Sequence, residues 1–489
     1  MKQYCVFRLD VNPDIGLGHA MRCMTLGKQF LKFGYSIAFI CRYGSQNYRE
    51  LIINSGFDVF FLSEEMDTIS GDIESKDAEE TLKICHYLDV SFMVVDHYQL
   101  GLEWEIQVRR EMDKLIVIDD LANRKHDCYA LLDSTLHRKA MDYKSLVNKS
   151  AHLLMGSKFS LLRDEFRALR SQARIKRRAT KKVETILINF GGTDPKQLTL
   201  LAHKRIRAIN EDIKIDIVLS SACLYINEIL ALSKHDHQTR VWVDSDSVSN
   251  LMLTADLAIG ALGTTSWERC CLGLPAIALM SADNQRQNAQ VLKQENAIIL
   301  SSQEQLKADI ECFIGATDNM KLWHEMAESC DRLCDGKGAD RVVSQILSSQ
   351  FSLAQMTIED VNTLYSWQVQ PTTRKYARHS EIPSYINHVN WLENSLKDHN
   401  RNMWVVMVND IKTGYVRLDG LGDKQEVSIL ISEEFRGIGL AEFAIKEAIN
   451  RRKHKQVLAY IETENIASIA LFNRCGFQRV DDNHYLWSE

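Results

Sequence analysis

The amino-acid sequence predicts an α/β protein with two doubly wound parallel sheets, followed by a smaller α+β domain. The chain has 489 residues, which is too long for one hydrophobic core and corresponds to roughly three domains. Short apolar runs alternate with amphipathic segments over residues 1–347, as in repeated βαβ units. From residue 355 onward several strand patterns follow one another, which is typical of an α+β domain.

The composition is that of an ordinary globular protein and argues against two classes of partner. The formal net charge is -6, whereas nucleic-acid binders are usually basic. No apolar run is long enough to span a bilayer, and the first strand carries Arg8 and Asp10, unlike a signal peptide. The twelve cysteines include no CxxC pair and are expected to be free thiols. We therefore expect a cytoplasmic protein that binds neither nucleic acid nor membrane.

Residues 1–165 are expected to form the first Rossmann-like domain, which opens with a strand, a glycine loop and a helix. The apolar run Tyr4–Leu9 leads to Gly16 and Gly18, and His19 stands where the helix begins. Glycine lets backbone amides approach a ligand closely, and a helix N-terminus attracts anions. The alternative is an ordinary βα turn with a capping histidine, because a glycine loop alone is a weak signal. Further buried strands are expected at Ser36–Cys41, Phe57–Leu62, Phe92–Asp96 and Lys114–Asp119.

Acidic residues follow several of these strands. Asp10, Asp96 and Asp119 with Asp120 all fall at carboxyl ends, where ligands of doubly wound sheets bind. The stretch Asp96-His-Tyr98 brings an acid and a phenol to this edge. The alternative interpretation of Asp96 is a helix N-cap followed by surface residues.

Residues 166–182 are strongly basic and are interpreted as a solvated linker or exposed helix between two domains. An anionic-ligand patch is the alternative. A second Rossmann-like domain is expected over residues 183–347, where two strands lead into glycine- and hydroxyl-rich loops. Neither α/β domain contains a cluster of metal-ligand residues. The loop and helix residues singled out here are Gly191, Gly192, Thr264, Thr265, Ser266, Glu268, Asn284 and Gln285.

The most specific feature of residues 355–489 is the loop Arg436-Gly-Ile-Gly-Leu-Ala441. It follows the strand Glu426–Ile431 and opens a helix, so its backbone amides and the helix dipole suit a pyrophosphate. This loop resembles the acetyl-coenzyme A loop of the GCN5-related N-acetyltransferases (GNAT), whose pattern is Q/R-x-x-G-x-G/A. Downstream residues also match that pattern, namely Asn465, Ser468, Leu471, Gly476 and Phe477.

The resemblance implies acetyl transfer to an amine, with acetyl-coenzyme A as cosubstrate. Phe472 departs from the family, since many relatives have a tyrosine there that protonates the leaving thiolate. Water or another residue would then supply the proton, the thiolate would leave unassisted, or the domain would only bind. The residues implied in cosubstrate binding are Leu430, Ile431, Arg436, Gly437, Ile438, Gly439, Leu440, Ala441 and Asn465.

Residues 1–345 resemble the UDP-sugar hydrolases of pseudaminic acid biosynthesis, a branch of the GT-B glycosyltransferase architecture. The matching stretches are Gly16-Leu-Gly-His-Ala-Met-Arg-Cys23, Asp96-His-Tyr98, Gly156-Ser-Lys-Phe-Ser-Leu-Leu-Arg-Asp-Glu-Phe166, Phe190-Gly-Gly-Thr-Asp194 and Gly263-Thr-Thr-Ser-Trp-Glu268.

The hydrolase resemblance implies a general base, His19, that takes a proton from water as the water attacks the anomeric carbon. An imidazole suits this role near neutral pH. Glu268 would hold the ribose hydroxyls, and Arg163 would face the diphosphate, with a structural ion pair as the alternative. No divalent metal is needed if amides and dipoles balance the phosphates. The other substrate-binding residues implied are Gly16, Gly18, Arg22, Asp96, Tyr98, Gly191, Gly192, Thr264, Thr265, Ser266, Asn284 and Gln285.

Together the two resemblances imply a bifunctional enzyme that performs two consecutive steps of pseudaminic acid biosynthesis. It would N-acetylate UDP-4-amino-4,6-dideoxy-N-acetyl-β-L-altrosamine and then hydrolyse UDP-2,4-diacetamido-2,4,6-trideoxy-β-L-altropyranose. Three alternatives stay open: a legionaminic-type enzyme pair, a UDP-sugar glycosyltransferase, and a C-terminal domain that binds coenzyme A without catalysis.

Overall fold

The structure is a computed structural model that describes residues 2–11, 18–64, 72–281, 285–315, 319–378, 380–452 and 454–489. The chain divides into two compact units. The first comprises Met1–Leu31 and Tyr35–Val342, and the second comprises Lys32–Gly34 and Val343–Glu489. No helix of the described residues is both long and apolar enough to cross a bilayer.

The first unit begins with a parallel sheet whose strand order is β3-β2-β1-β4-β5-β6-β7. Strand β1 pairs with both β2 and β4, so the direction of winding reverses between β1 and β4. Such a reversal leaves a crevice at the carboxyl ends of the two strands. The strands are β1 (Gln3–Arg8), β2 (Ser36–Cys41), β3 (Asp58–Phe61), β4 (Asp89–Val95), β5 (Leu115–Ile118), β6 (Ala130–Asp133) and β7 (His152–Met155). The helices are α1 (Gly18–Lys32), α2 (Arg49–Asn54), α3 (Ile73–Cys85), α4 (Leu102–Glu111) and α5 (Asp164–Ala179).

A second parallel sheet follows in the same unit, in the order β10-β9-β8-β11-β12-β13. Its winding reverses between β8 and β11, which are packed so closely that a Cβ on Gly260 would lie 2.1 Å from the Asn189 carbonyl oxygen. The strands are β8 (Thr185–Asn189), β9 (Lys214–Leu219), β10 (Thr239–Val243), β11 (Leu257–Gly260), β12 (Ala276–Ala278) and β13 (Ile298–Leu300). The helices are α6 (Leu198–Arg207), α7 (Ile226–His235), α8 (Val248–Thr254), α9 (Thr265–Cys271), α10 (Arg286–Gln294), α11 (Leu306–Ile314), α12 (Met320–Leu333) and α13 (Gly338–Leu347).

The basic stretch 166–182 was expected to be a solvated linker or an exposed helix, and most of it belongs to helix α5. Phe166, Ala173 and Arg177 of this helix are buried. The Arg177 guanidinium donates to the carbonyl oxygens of Met252 (2.7 Å), Ala255 (2.5 Å) and Leu272 (3.2 Å). Part of this helix is thus packed, and charge density alone does not distinguish a solvated face from arginines that satisfy buried helix ends.

The second unit is built on a mainly antiparallel sheet in the order β14-β15-β16-β17-β18-β20-β19. Strands β17 and β18 are parallel and pair only at Gln425 with Val457 and Glu426 with Leu458, so they separate beyond that point. The strands are β14 (Phe351–Gln355), β15 (Arg401–Val408), β16 (Ile411–Leu421), β17 (Lys424–Ile431), β18 (Gln456–Tyr460), β19 (Gln478–Arg479) and β20 (His484–Ser488). The helices are α14 (Val361–Gln368), α15 (Pro371–Arg374), α16 (Tyr385–Lys397), α17 (Leu440–Asn450) and α18 (Ile466–Arg474).

Replacing Arg177 with methionine tests the structural role of α5. The substitution leaves carbonyl groups on three residues without their donor, so we expect the free energy of unfolding of the first unit to fall by about 3 kcal/mol. Urea unfolding measures this change. The control is Arg178→Met, at an exposed site on the same helix, which should change the value by less than about 0.5 kcal/mol. Equal stability of Arg177→Met and the parent protein would contradict the packed-helix assignment.

Candidate functional site

The crevice of the first sheet holds a histidine and an aspartate in direct contact. His19 is the second residue of α1, and Asp96 follows β4. The His19 Nδ1 atom lies 2.6 Å from Asp96 Oδ1. Arg22, one turn along α1, donates to both carboxylate oxygens at 2.5 Å. Asp96 is only 2% exposed, so its charge is balanced entirely inside the protein.

This contact assigns the proton on the His19 ring. A carboxylate oxygen only accepts, so Nδ1 carries the hydrogen and donates it to Asp96. Arg22 Nη2 is 3.3 Å from the same nitrogen, which is a longer and weaker contact between two donors. The other ring nitrogen, Nε2, has no hydrogen-bond partner within the described part of the chain. A neutral His19 therefore offers the lone pair of Nε2 as a proton acceptor.

Electrostatics keep Asp96 ionised. Burial opposes ionisation, but the charges of Arg22 and His19 and their hydrogen bonds outweigh it and hold the pKa of the Asp96 carboxyl well below its usual range. Asp96 in turn raises the pKa of the Arg22 guanidinium, against the effect of burial. Asp96 was expected to meet the sugar, and the structure places it buried against His19 and Arg22.

Tyr98 stands at the open edge of the crevice. Its ring packs edge-on against the His19 ring, with 5.1 Å between the centroids. Its hydroxyl donates to Asp120 at 3.1 Å, and it is 38% exposed. Asp120 is also 3.6 Å from Arg22, so Tyr98 and His19 share one hydrogen-bonded and ionic network. The exposed phenol remains a candidate substrate contact.

A second, fully buried network lies behind the site at the end of β1. Arg8 bonds both Asp10 (2.7 Å) and Asp77 (2.5 Å), and His97 Nε2 lies 2.9 Å from Asp10. Burial opposes the ionisation of Asp10, but Arg8 and His97 hold the pKa of its carboxyl far below its usual range. This network fixes the end of β1, which leads into the glycine loop, and leaves Asp10 no free oxygen for a ligand.

The loop of the second sheet faces the start of α1. A Cβ on Gly18 would lie 3.9 Å from the Thr264 side chain, so the N-termini of α1 and α9 border the same gap. Thr264 is exposed and Thr265 is partly exposed, whereas Ser266 is buried and accepts a hydrogen bond from Arg269 (3.1 Å). Ser266, an expected substrate contact, is thus buried beside Arg269, and its hydroxyl accepts this one hydrogen bond.

Glu268 and Arg163 form an ion pair in this gap. Arg163 Nη2 lies 3.3 Å from Glu268 Oε1, and Arg163 Nη1 lies 3.1 Å from Glu165. Burial raises the pKa of the Glu268 carboxyl, while Arg163 opposes that shift. Arg163 therefore has the ion pair of the alternative interpretation, and its side chain stays 23% exposed.

The remaining candidates differ in how they are placed. Gly191 has a φ of +93°, and a Cβ there would meet no described atom within 4 Å. Gly192 lies against Ser220. The Gln285 side chain accepts from the Ser281 amide at 3.0 Å. Gly16 and Asn284 lie outside the described residues. Among the residues that the structure describes, no group of three or more histidine, cysteine or acidic residues could hold a metal ion.

The second unit contains a cleft of roughly 780 Å³ beside the separation of β17 and β18. Gly437 and Gly439 have φ values of +95° and +86°, which favour glycine, and α17 begins directly afterwards. The side chains of Ile438 and Leu440 are buried and anchor the loop, so its backbone amides are left for a ligand. Arg436 Nε bonds the Ile431 carbonyl oxygen at 3.1 Å, and Ala441 lines the cleft.

The strand and helix beside this loop complete the cleft. Leu430 and Ile431 lie at the end of β17, and their buried side chains line the cleft. The Asn465 side chain accepts from the Ser468 amide at 3.1 Å and caps α18. Phe472 is 4% exposed and packs edge-on against Phe477, so it offers the cleft only an apolar surface. These residues fit an elongated thioester with a pyrophosphate at one end.

Some residues of these sites escaped sequence analysis. Asp120 was noted as a strand-end acid, but its link to Tyr98 depends on tertiary structure. Arg374, Arg378 and Arg417 line the cleft of the second unit, and no motif marks them. Arginines scattered over a helix, a loop and a strand carry no spacing signal, so only the fold brings them together.

Comparisons with known proteins agree with both resemblances. Residues 350–478 match the family model described as an acetyltransferase (GNAT) domain. A UDP-2,4-diacetamido-2,4,6-trideoxy-β-L-altropyranose hydrolase of Campylobacter jejuni is 26% identical over 249 residues, covering 50% of this chain and 80% of that protein. An uncharacterized protein of Methanocaldococcus jannaschii is 25% identical over 502 residues, covering 96% of each chain.

A solved structure resembles most of this chain in fold. The crystal structure of MurG from Acinetobacter baumannii has a TM-score of 0.51 at 14% identity, covering 71% of this chain and 99% of MurG. At this identity the likeness shows the fold alone, and it confirms the GT-B architecture. The chain thus joins an N-terminal part related to UDP-sugar hydrolases with a C-terminal GNAT domain.

The depressed pKa of Asp96 predicts how its contribution to stability depends on pH. The contribution is complete above the ordinary aspartate pKa of about 4 and is lost as the pH falls toward the lower pKa of the folded state. We expect Asp96→Asn to reduce the free energy of unfolding by about 3 kcal/mol at pH 7. The deficit should shrink below about pH 4, as measured by urea unfolding over a pH series.

The matched control is Asp89→Asn, at an exposed position at the start of β4, the strand that Asp96 follows; it should stay within about 0.5 kcal/mol of the parent protein at every pH. A deficit in Asp96→Asn that is equally large at pH 3 and pH 7 would contradict the ionised pair.

Proposed function

We propose that this chain is a bifunctional enzyme of pseudaminic acid biosynthesis. The C-terminal domain N-acetylates UDP-4-amino-4,6-dideoxy-N-acetyl-β-L-altrosamine with acetyl-coenzyme A. The N-terminal part hydrolyses UDP-2,4-diacetamido-2,4,6-trideoxy-β-L-altropyranose to UDP and the free sugar. The observation that carries the hydrolase assignment is the 2.6 Å contact between His19 and the buried Asp96, which leaves Nε2 as the proton acceptor. The relative in Campylobacter jejuni supports the choice of sugar.

In the proposed hydrolysis, His19 is the general base. Nε2 removes a proton from water while the water oxygen forms a bond to the anomeric carbon. The bond between that carbon and the phosphate oxygen breaks, and its electrons leave with UDP. Asp96 is a positioning residue that holds the ring and stabilises the imidazolium formed in this step.

The nucleotide is proposed to lie across the gap between the two sheets. The N-termini of α1 and α9 and the amides near Gly18, Gly191 and Gly192 suit the charge that develops on the diphosphate. Glu268 is the proposed ribose ligand, and its pairing with Arg163 sets the position of its carboxylate. Other proposed contacts to the substrate are Thr264, Thr265, Gln285 and Tyr98.

In the proposed acetyl transfer, the amine nitrogen of the sugar attacks the acetyl carbon and gives up a proton to water, while the carbon–sulfur bond breaks and coenzyme A leaves as a thiolate. The loop 436–441 holds the pyrophosphate of the cosubstrate, and the end of β17 holds its pantetheine arm. Phe472 has no proton to give, so the thiolate takes its proton from water or another group. We place both reactions in the cytoplasm, in keeping with the free cysteines.

Two single variants should separate the activities, because the two sites lie in different units. His19→Gln should lower hydrolysis by at least about a hundredfold, since general-base catalysis contributes at least that much, and spare acetyl transfer. Gly439→Val should abolish acetyl transfer, because a β-branched residue at positive φ distorts the loop, and spare hydrolysis. Mass spectrometry of the sugar products and release of UDP measure the two reactions.

The control for backbone strain is Gly422→Val, at a position with a φ of +61° and open space around it, in the turn between β16 and β17. It should leave both activities intact. Loss of both activities in folded His19→Gln would contradict the assignment of separate sites. UDP release that requires an added acceptor alcohol would indicate a glycosyltransferase instead.

A further inference from the structure

The thiolate that leaves in the proposed acetyl transfer needs a proton, and among the described residues three tyrosines line the cleft of the second unit. They are Tyr376, Tyr415 and Tyr460. Tyr376 lies outside the sheet, in the segment between α15 and α16, and Tyr460 ends β18, where it pairs with His484. Tyr415 lies on β16 and pairs directly with Leu430 at the end of β17. The sheet therefore places Tyr415 beside the strand end that is proposed to hold the pantetheine arm.

Tyr415 is buried, and its side chain borders the cleft. It is 6% exposed. Residues directly opposite each other on antiparallel strands share a face of the sheet and have Cβ atoms about 5 Å apart. Leu430 on that face also lines the cleft, as does Phe472 from α18. A thioester that lies beside Leu430 is therefore within reach of the Tyr415 hydroxyl.

The Tyr415 hydroxyl accepts one hydrogen bond and keeps its own hydrogen. Gln368 Nε2 donates to the phenol oxygen at 2.8 Å. Arg374 donates to Gln368 Oε1 and, at 2.7 Å, to the Gln368 backbone oxygen. A guanidinium group only donates, so Oε1 faces Arg374 and Nε2 faces the phenol. Within the described part of the chain the Tyr415 hydroxyl has no hydrogen-bond acceptor, so its proton is available to a group in the cleft.

Other hydroxyl groups of the cleft are less suited to give a proton. The Tyr460 hydroxyl donates to Glu462 at 2.9 Å. The Ser428 hydroxyl accepts from Arg417 at 3.3 Å, and an aliphatic alcohol is a much weaker acid than a phenol. Tyr415 therefore combines the acidity of a phenol with a hydrogen that no described residue holds.

The surroundings of Tyr415 also stabilise the anion that proton donation leaves. Burial raises the pKa of the Tyr415 hydroxyl, so the group is protonated at neutral pH. The positive charges of Arg417 and Arg374 and the hydrogen bond from Gln368 oppose this rise in pKa, because they favour the tyrosinate. The proton is thus present at rest, and its loss leaves a charge that neighbouring groups balance.

We propose that Tyr415 is the general acid of the acetyl transfer and protonates the sulfur of coenzyme A. This inference rests on the proposed transfer from acetyl-coenzyme A. As the carbon–sulfur bond breaks, the oxygen–hydrogen bond of Tyr415 breaks and its proton moves to the sulfur. Coenzyme A leaves as a thiol, and Tyr415 is left as tyrosinate. The tyrosinate recovers a proton from the water that took one from the amine, so the protein returns to its starting state.

The first test measures the contact between Tyr415 and the sulfur without any acceptor. Isothermal titration calorimetry of the full-length protein at pH 9 compares coenzyme A with desulfo-coenzyme A, which lacks the sulfur. This pH is above the ordinary thiol pKa of about 8.5, so the sulfur is largely a thiolate that accepts a hydrogen bond. We expect the parent protein to bind coenzyme A about tenfold more tightly than desulfo-coenzyme A, and Tyr415→Phe to bind both equally. The same ratio of affinities in both proteins would overturn the inference.

The second test is the kinetics of Tyr415→Phe with acetyl-coenzyme A and the UDP-amino sugar. The kcat for acetyl transfer should fall at least about tenfold, because general acid catalysis is lost. The KM values for both substrates should change less than about twofold, and UDP-sugar hydrolysis should be unaffected. The matched control is Tyr365→Phe, whose hydroxyl donates to the Pro383 carbonyl oxygen at 3.2 Å outside the cleft and which should keep the parent kcat.

The two tests separate this inference from the proposed reaction. A higher KM for the UDP-amino sugar with an unchanged kcat would overturn the inference, since Tyr415 would then only bind the acceptor. A preference for the sulfur that disappears in Tyr415→Phe, in a protein that does not acetylate the UDP-amino sugar, would support the contact and contradict the proposed acceptor.

Discussion

The buried charge of Asp96 constrains the N-terminal sheet of the first unit and the helix that follows its first strand. An isolated carboxylate with 2% exposure would be very unstable, so it needs the Arg22 guanidinium and the His19 ring as close partners. Both partners come from α1, whereas Asp96 comes from β4, and the two elements meet at the reversal of the sheet. The same contacts that satisfy Asp96 therefore orient the His19 ring and leave one of its nitrogens available.

The second sheet contributes the start of a helix to the gap beside His19. His19 stands at the start of α1, and Gly18 approaches Thr264 at the start of α9, so two helix N-termini border one gap. A diphosphate in this gap would be close to partial positive charges from both sheets. In the proposed hydrolysis, the base therefore comes from the first sheet and the leaving group is held from the second.

The sequence predicted the fold class and most strands, because buried parallel strands are continuous apolar runs; β2 is an example that matches its predicted bounds. It did not predict the short strands β6 and β7, whose surroundings show no periodic pattern. His19 could be found because a local motif marks it. The contacts of Asp96 could not, since its partners His19 and Arg22 lie 77 and 74 residues away and meet it only through tertiary packing. The burial of Ser266 depends on packing in the same way.

The central claim is that Asp96 fixes the tautomer of His19 so that Nε2 accepts the proton of water. The most direct measurement is the ¹⁵N chemical shifts of the His19 ring by NMR, assigned by their loss in His19→Gln. In the neutral ring the account predicts a protonated Nδ1 and an unprotonated Nε2, and a mixture of tautomers in Asp96→Asn. A neutral ring with the proton on Nε2 in the parent protein would contradict the account.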